Sequence, residues 1–176
     1  GDVAGALITL DGADNVTING LNSGGNSLVI TNINTGLAAA TIKLMNDATG
    51  NSIVQCTILG SGTGTGTGTV WYSTGTTTGN IGNSLQSNLI GPAGVNLPVN
   101  GVASLGSSLA IPNTVSMITN NIFDYFNAGG TSCGVFINAN NTGWTLSGNK
   151  LYQTATRVYT TAATHYGIQI AGGSGY

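Results

Sequence analysis

Short apolar runs recur along the chain at a nearly constant interval. Each run in one set is rich in β-forming residues and is bounded by glycine or asparagine turn signals. The central residues of these runs are separated by 34, 28, 32, 33 and 33 positions, and they are Ile8, Ile42, Val70, Val102, Val135 and Ile168. A constant period of about 20–50 residues is typical of repeat architectures. The pattern therefore predicts a column of stacked strands from coils of roughly 28–34 residues.

A second set of positions repeats with a similar period. In each copy an apolar residue is followed three positions later by asparagine or cysteine, and then by another apolar residue. The polar positions are 32, 32 and 29 residues apart, and they are Cys56, Asn88, Asn120 and Asn149. We predict that they stack as a turn ladder, because asparagine tolerates the left-handed conformation and its amide can bond to the next coil. Residues 18–21 match a shortened first copy, and residues 28–30 and 157–159 are candidates for a third strand column.

Stacked coils explain how such short strands can bury their apolar residues. One coil cannot cover its own apolar face, whereas stacking pairs each strand with its equivalent and makes a continuous core. We therefore predict one all-β domain over residues 1–176, a β-solenoid of about five coils. The alternative is a β-sandwich whose turn signals fall at similar spacing.

Two phrases resemble the repeats of a known family. Residues 10–21, LDGADNVTINGL, and residues 120–125, NNIFDY, are similar to repeats of right-handed parallel β-helix proteins of the pectate-lyase-like fold. Polysaccharide lyases and many large bacterial surface proteins have this fold. The resemblance implies a right-handed solenoid, in agreement with the crossover rule for parallel strands. It also implies loops that bulge out between strands, because these coils are longer than the family's commonest ones.

Two stretches interrupt the strand pattern. Residues 60–69 alternate glycine with threonine or serine, and we expect them to form a flexible surface loop. Residues 92–100 contain two of the three prolines and are expected to form a connecting loop.

The composition argues against several functions. Only 5% of the residues are charged, against about 25% in an average globular protein. Three basic residues cannot line a phosphate backbone, which argues against nucleic-acid binding. No apolar run approaches the roughly 18–20 residues of a membrane span, so membrane insertion is not expected. Abundant Thr, Asn and Gly without any Glu resembles secreted bacterial surface proteins, which favours an extracellular or cell-surface location.

Three carboxylates are the candidates for a metal site. Asp11 and Asp14 lie together in the first turn, and Asp47 follows Asp14 by 33 residues, close to one period. Such a patch could bind Ca²⁺, and enzymes of the resembled family cluster carboxylates on one outer face. We favour the simpler interpretation that each is a turn aspartate whose side chain caps its own backbone. No cofactor is otherwise expected.

Catalysis has little support in the sequence. Arg157 and His165 lie in one segment with Tyr159 and Tyr166, and Lys43 is the base near the aspartates in sequence. The sequence contains no Gly-x-Ser-x-Gly, His-Glu-x-x-His or Cys-x-x-Cys motif, which are signatures of hydrolase, metalloprotease and thiol chemistry. We therefore expect a protein that is not an enzyme.

The two cysteines are too far apart in register to form a disulfide. Cys56 and Cys133 are 77 residues apart, which is between two and three coils. Coils stack about 4.8 Å apart, so the two Cα atoms should lie roughly 10 Å or more apart. A disulfide needs less than about 7 Å. We predict two free, mostly buried thiols.

The ends of the predicted solenoid suggest a function. Open strand edges invite pairing, and a soluble solenoid therefore needs polar caps, but no capping helix is predicted. The apolar residues of the first and last strands are Leu7, Ile8, Leu10, Ile168 and Ile170. We expect a subunit of a self-assembling fibre that stacks head to tail, or a section of a surface stalk or adhesin. Its partner would be another copy or an adjoining solenoid segment.

Other functions remain alternatives. A carbohydrate-active enzyme or carbohydrate-binding module of this fold would need an acidic or aromatic cleft, for which Trp71, Tyr72 and Trp144 supply rings. Residues 15–17 and 140–142 match the N-glycosylation pattern, so glycans are a further candidate partner. Binding to ice through threonine arrays ranks last, because the coil lengths vary too much for a regular lattice.

Overall fold

The regular elements of this chain are short strands. The structure is a computed structural model that describes residues 1–21, 28–124, 129–156 and 158–176. These residues form no helix, and therefore none that is long and apolar enough to span a membrane. In chain order the strands are β1 (Ala6–Asp11), β2 (Thr17–Asn19), β3 (Val29–Asn32), β4 (Ala40–Met45), β5 (Ser52–Val54), β6 (Thr57–Gly60), β7 (Val70–Tyr72), β8 (Ser84–Gln86), β9 (Leu89–Pro92), β10 (Asn100–Ser104), β11 (Asn113–Thr114), β12 (Met117–Thr119), β13 (Ile122–Phe123), β14 (Ser132–Ile137), β15 (Asn141–Thr142), β16 (Thr145–Ser147), β17 (Lys150–Leu151) and β18 (His165–Ile170).

The strands form three long parallel sheets. The first sheet has the order β1-β4-β7-β10-β14-β18, the second β2-β5-β8-β12-β16, and the third β3-β6-β9-β13-β17. A short pair, β11-β15, forms a further small sheet. Each coil contributes one strand to each long sheet, so the chain is a parallel β-solenoid of about five coils.

The register of the first sheet confirms the predicted first column. The residues paired at one level are Ile8, Ile42, Val70, Val102, Val135 and Ile168. In-register pairing keeps equivalent positions on the same face of a sheet. The inward side chains of successive coils therefore stack on one another, and those between Ile42 and Val135 have no exposed surface.

The apolar core lies between the three sheets. Leu44 comes from the first sheet, Ile53 from the second and Ile58 from the third, and all three belong to one buried cluster. Burying a side chain of this size stabilises the fold by about 1.5–3 kcal/mol. Because every coil adds such residues to the same cluster, the stack supplies the core that one coil lacks.

The second column is confirmed except in the fourth coil, where the prediction is one residue too early. The residues paired at this level are Ile18, Ile53, Leu85, Ile118 and Leu146. Ile118 is fully buried, whereas Met117 is exposed. The ladder position three residues later is therefore Asn121, and the assignment of Asn120 to the ladder is wrong.

The third sheet supplies the strand column that the sequence left open. It begins at β3, which overlaps the candidate residues 28–30, and it continues through the residues that follow the ladder position in each coil. In the other candidate, residues 157–159, Arg157 lies outside the described residues, and Val158 and Tyr159 belong to no strand.

The glycine–threonine stretch 60–69 is packed against the coils on both sides. Six of its ten residues are buried. The Thr67 hydroxyl donates to the Leu37 carbonyl at 3.1 Å, and the Asn100 amide donates to the Thr67 carbonyl at 2.7 Å. A Cβ at Gly64 would lie 2.1 Å from the Leu37 oxygen, so only glycine fits there. The stretch between β6 and β7 is a loop, as expected, but most of it packs against the neighbouring coils, because small side chains let the backbone approach them. The other loop, residues 92–100, connects β9 to β10.

Candidate functional site

The outermost strands of the first sheet each have a strand partner on one side only. β1 pairs with β4, and β18 pairs with β14. The inward residues Ile168 and Ile170 of β18 are 44% and 45% exposed, whereas Val135 and Ile137 one coil earlier are fully buried. The apolar column of the first sheet thus ends at an open strand edge.

The first coil also leaves part of its apolar surface exposed. Leu10 is buried, while Leu7 and Ile8 are half-buried and pack against the core. Val29 and Leu37 remain exposed in or just after this coil. Both ends of the described solenoid therefore present apolar side chains, and at both an edge strand lacks one neighbour.

A ladder of buried asparagines holds the corner between the second and third sheets. The side-chain oxygen of Asn121 accepts hydrogen bonds from the backbone N–H and the side-chain Nδ2 of Asn88, and Asn149 does the same for Asn121. Cys56 occupies the same position one coil earlier, where its backbone N–H donates to the oxygen of Asn88 at 2.9 Å. The predicted members Cys56, Asn88 and Asn149 therefore do lie in one ladder, with Asn121 as the fourth.

Two further asparagine ladders were missed in the sequence. Asn51 donates to Asn83 from both its backbone N–H and its Nδ2, at 3.0 and 2.9 Å. Asn80 donates to Asn113 in the same way, at 3.1 and 2.8 Å, and Asn141 continues this column through the β11–β15 pairing. The signal was available, because these asparagines are separated by 32, 33 and 28 residues.

A loop of the next coil satisfies the hydrogen-bonding capacity of the Asp47 carboxylate. It accepts hydrogen bonds from the backbone N–H groups of Thr76, Thr77, Thr78 and Gly79 at 2.8–3.1 Å, and from the Thr76 hydroxyl at 2.6 Å. Desolvation acts to raise the pKa of Asp47, but these donors outweigh it and hold the pKa well below the usual 3.8. Asp47 is therefore a cap for the backbone of residues 76–79.

The other two aspartates also bond to the second coil. The Asn46 amide donates to Asp11 at 2.6 Å, and the Thr49 N–H donates to Asp14 at 3.1 Å. The three carboxylates thus serve separate protein groups, and within the described ranges no three His, Cys, Asp or Glu side chains are grouped to hold a metal ion. The capping interpretation fits these contacts, except that each aspartate reaches the next coil rather than its own turn.

The outer face of the first sheet carries a row of aligned side chains. At one level of register these are Thr9, Lys43, Trp71, Ala103, Phe136 and Gln169. The Lys43 Nζ lies 4.2 Å from the centroid of the Trp71 ring, an arrangement worth about 0.5–1 kcal/mol at an exposed site. Trp71 and Phe136 are half-buried and lie two coils apart, which is roughly 10 Å.

The other two candidate aromatic residues are buried in the core. The rings of Tyr72 and Trp144 pack edge to face with centroids 4.9 Å apart, and the Trp144 indole N–H donates to the Asn113 carbonyl. The buried Tyr72 hydroxyl has no hydrogen-bond partner among the described residues, and burial raises its pKa well above the usual 10. Trp71 is therefore the only one of the three candidate rings that reaches the surface.

The structure brings His165 next to a serine. Its Nδ1 lies 2.8 Å from the hydroxyl of Ser132, and its ring centroid lies 5.1 Å from that of Tyr159. Arg157, the second member of the predicted pair, lies outside the described residues. Tyr166 pairs with Cys133 along the β14–β18 ladder. The contacts of His165 thus hold the last strand to the preceding coil.

Both cysteines are free and buried, as predicted. The Cys133 thiol donates to the side-chain oxygen of Gln169 at 3.2 Å, and the Cys56 thiol donates to the Val54 carbonyl at 3.3 Å. Burial raises the pKa of Cys133 to about 11 and also raises the pKa of Cys56. Neither thiol is therefore activated as a nucleophile.

Comparisons with models of protein families, with curated proteins and with solved structures found no match for this chain. Its function has therefore to be inferred from its own residues and contacts.

Proposed function

We propose that this chain is an extracellular structural protein, either a fibre subunit that stacks head to tail or one section of a surface stalk or adhesin. The observation that supports the proposal is the open edge at β18, where Ile168 and Ile170 are half-exposed in a column that is otherwise buried. The sequence resemblance adds the finer assignment, a right-handed β-helix of the pectate-lyase-like fold on a bacterial surface.

A further strand beside β18 would complete both packing and hydrogen bonding. Covering the remaining surface of each half-exposed isoleucine contributes about 1 kcal/mol, and each new backbone hydrogen bond contributes about 0.5–1.5 kcal/mol. A second copy offers such a strand at β1, where Ile8 and Leu10 have the same spacing as Ile168 and Ile170. An adjoining solenoid segment would present an equivalent strand.

The low charge of the chain favours contacts between one copy and the next. Five acidic and three basic residues give a net charge of −2 over 176 residues, so like-charge repulsion between copies is weak. The buried asparagine ladders fix the cross-section of each coil, which keeps strand edges in register for a partner.

Concentration-dependent assembly tests the proposal. The purified chain should form elongated particles in electron micrographs, and its sedimentation coefficient should rise with concentration. Ile168→Lys places a charge in the joint and should abolish both effects, because a buried unpaired charge costs several kcal/mol.

The matched control lies on the same strand. Gln169→Lys adds the same charge on the outward face and should leave assembly unchanged. A wild-type chain that stays monomeric at high concentration would contradict the assembly of fibres from this chain.

Carbohydrate binding is the second candidate, and the half-buried Trp71 ring in the outer row of the first sheet is the observation that favours it. An aromatic ring beside a lysine on a flat outer face can stack on a sugar ring and bond to its hydroxyls or carboxylate. Trp71→Ala should then weaken retention on immobilised polyuronides, measured with and without Ca²⁺. Equal retention of the variant and the wild type, or none by either, would remove this candidate.

A further inference from the structure

Among the described residues, the first sheet extends one coil beyond the other two long sheets. β16 and β17 are the outermost strands of the second and third sheets, and each pairs with a strand on one side only. β18 of the first sheet stacks on β14 and therefore lies one coil beyond them. A strand that pairs with β18 alone thus leaves the exposed sides of β16 and β17, here called the β16–β17 edge, uncovered.

The β16–β17 edge leaves part of the apolar core exposed. Leu146 of β16 and Leu151 of β17 are half-buried, whereas their partners in the preceding coil, Ile118 and Phe123, are fully buried. Both leucines pack against the same core cluster as those partners. A further coil would bury them in the same way as the fifth coil buries Ile118 and Phe123.

The asparagine ladder ends at this edge with two donors directed past the last coil. Asn88 donates to the side-chain oxygen of Asn121 from its backbone N–H and its Nδ2, and Asn121 donates to Asn149 in the same way. The Nδ2 of Asn149 donates one hydrogen to the Ile118 carbonyl at 2.7 Å. Its second hydrogen and the backbone N–H of Asn149 have no acceptor in the described part of the chain. By the geometry of the ladder, both point to where a side-chain oxygen of the next coil would lie.

The opposite end of the same two sheets lacks such donors. There Leu28 occupies the ladder position, and its backbone N–H donates to the Gly20 carbonyl at 3.1 Å. The ladder is therefore directional, because its donors point from each coil to the following one. A strand that arrives beside β2 meets no ladder asparagine, whereas one that arrives beside β16 meets the two donors of Asn149.

We propose that the β16–β17 edge binds a segment of a partner polypeptide with the pattern apolar-x-x-Asn-x-apolar. The first apolar residue of the segment covers Leu146, the second covers Leu151, and the asparagine oxygen accepts from both donors of Asn149. The third coil of this chain contains the same pattern, at Leu85, Asn88 and Ile90. The inference rests on the proposed structural function, since it names the partner that continues the second and third sheets.

The test measures binding of a labelled peptide to the Ile168→Lys chain, in which the joint at β18 is blocked. The peptide copies residues 82–93, and fluorescence anisotropy gives its affinity. We expect saturable binding, and binding at least about tenfold weaker when the peptide carries Asn88→Ala, since two hydrogen bonds from Asn149 are lost. Hydrogen exchange followed by NMR should show that the Asn149 backbone amide exchanges more slowly with the unaltered peptide bound than with the Asn88→Ala peptide.

Matched variants of the chain locate the site. Leu146→Lys places a charge in the β16–β17 edge and should abolish peptide binding. Ser147→Lys adds the same charge at an exposed position of the same strand and should leave binding unchanged. Ile18→Lys makes the change on β2, at the other edge of the second sheet, and should also leave binding unchanged. Circular dichroism and thermal melts establish that each variant is folded.

Three results would overturn the inference. They are an absence of binding at peptide concentrations up to about 1 mM, equal affinity for the Asn88→Ala peptide, and loss of binding in Ile18→Lys rather than in Leu146→Lys. The comparison of the two peptides uses a chain with Leu146 intact, so it decides the matter even if Leu146→Lys does not fold. None of these results bears on assembly of the wild-type chain, which is measured without peptide and tests the proposed function separately.

Discussion

The side-chain oxygen of Asn121 accepts two hydrogen bonds from Asn88, one from its backbone N–H at 2.9 Å and one from its Nδ2 at 3.0 Å. The Asn121 amide in turn donates to the Leu85 carbonyl at 2.9 Å and to Asn149. One fully buried side chain therefore joins three successive coils. The arrangement satisfies polar groups that would otherwise be stranded at a corner inside the core.

Asn121→Ala should destabilise the fold strongly. It leaves the buried donors of Asn88 without an acceptor, which we expect to lower the free energy of unfolding by about 2–4 kcal/mol. Urea denaturation followed by circular dichroism measures the change. Asn120→Gly, one residue earlier, is the control and should alter stability by less than about 1 kcal/mol, because glycine suits φ +56°. Similar losses for the two variants would mean that the ladder position has been misassigned.

Asp47→Asn should change the acid stability of the protein. Since the folded-state pKa of Asp47 lies below its usual 3.8, its contribution is fully present above about pH 4–5 and is lost as the pH falls through the folded value. We expect the variant to be about 1 kcal/mol less stable at neutral pH, allowing for solvent exposure. The gap between variant and wild type should shrink as the pH falls below 4.

A suitable comparison for Asp47 is Asp11→Asn, because Asp11 accepts one side-chain hydrogen bond rather than a set of backbone donors. Denaturation midpoints of wild type and Asp47→Asn measured across the acidic range check the expected pH effect, and at neutral pH Asp11→Asn should lose less stability than Asp47→Asn. Parallel curves for Asp47→Asn and wild type at all pH values would contradict the capping role.

Tyr72→Phe should leave the fold as stable as the wild type or stabilise it by up to about 1 kcal/mol. The change removes a buried hydroxyl that bonds to none of the residues that the structure describes and keeps the ring against Trp144. Tyr72→Leu removes the ring as well and should be at least about 1 kcal/mol less stable than Tyr72→Phe, since an edge-to-face pair is lost. A clear loss in Tyr72→Phe would show that the hydroxyl has a partner, such as an internal water.

The two thiols should resist modification in the folded protein. Cys56 and Cys133 are buried and have raised pKa values, so a disulfide reagent at about pH 8 should react on the order of 100-fold more slowly than in denaturant. Absorbance of the released thiol gives both rates. Immediate reaction of one equivalent in the native protein would be inconsistent with this burial.

The first strand column could be predicted from the sequence because the period and the apolar residue coincide in every coil, from Ile8 to Ile168. The ladder position in the fourth coil could not, because Met117–Asn120 and Ile118–Asn121 satisfy the same spacing and the coil length varies. Burial separates the two pairs, and burial depends on the neighbouring coils. Side chains that are adjacent in sequence point to opposite faces of the sheet, so an error of one residue exchanges a buried position for an exposed one.

The contacts of Asp47 and of residues 60–69 could not be predicted from the sequence for a related reason. Both depend on which loop of the next coil lies opposite. Composition indicates that a glycine–threonine run is flexible when isolated, but it does not reveal that Leu37 and Asn100 lie close enough to bond to it. β1 and β18 are the outer strands of the first sheet because they contain the first and last residues of a recognisable column.

The in-register parallel pairing of the three sheets also determines how the molecule bears load. The hydrogen bonds between coils run along the solenoid axis, so a force along that axis acts on all the coil boundaries in series. Resistance is then set by the weakest boundary rather than by the sum of all of them. Each coil that detaches releases roughly 100 Å of extended chain, and the stack would lengthen under tension in discrete steps, dissipating energy as it yields.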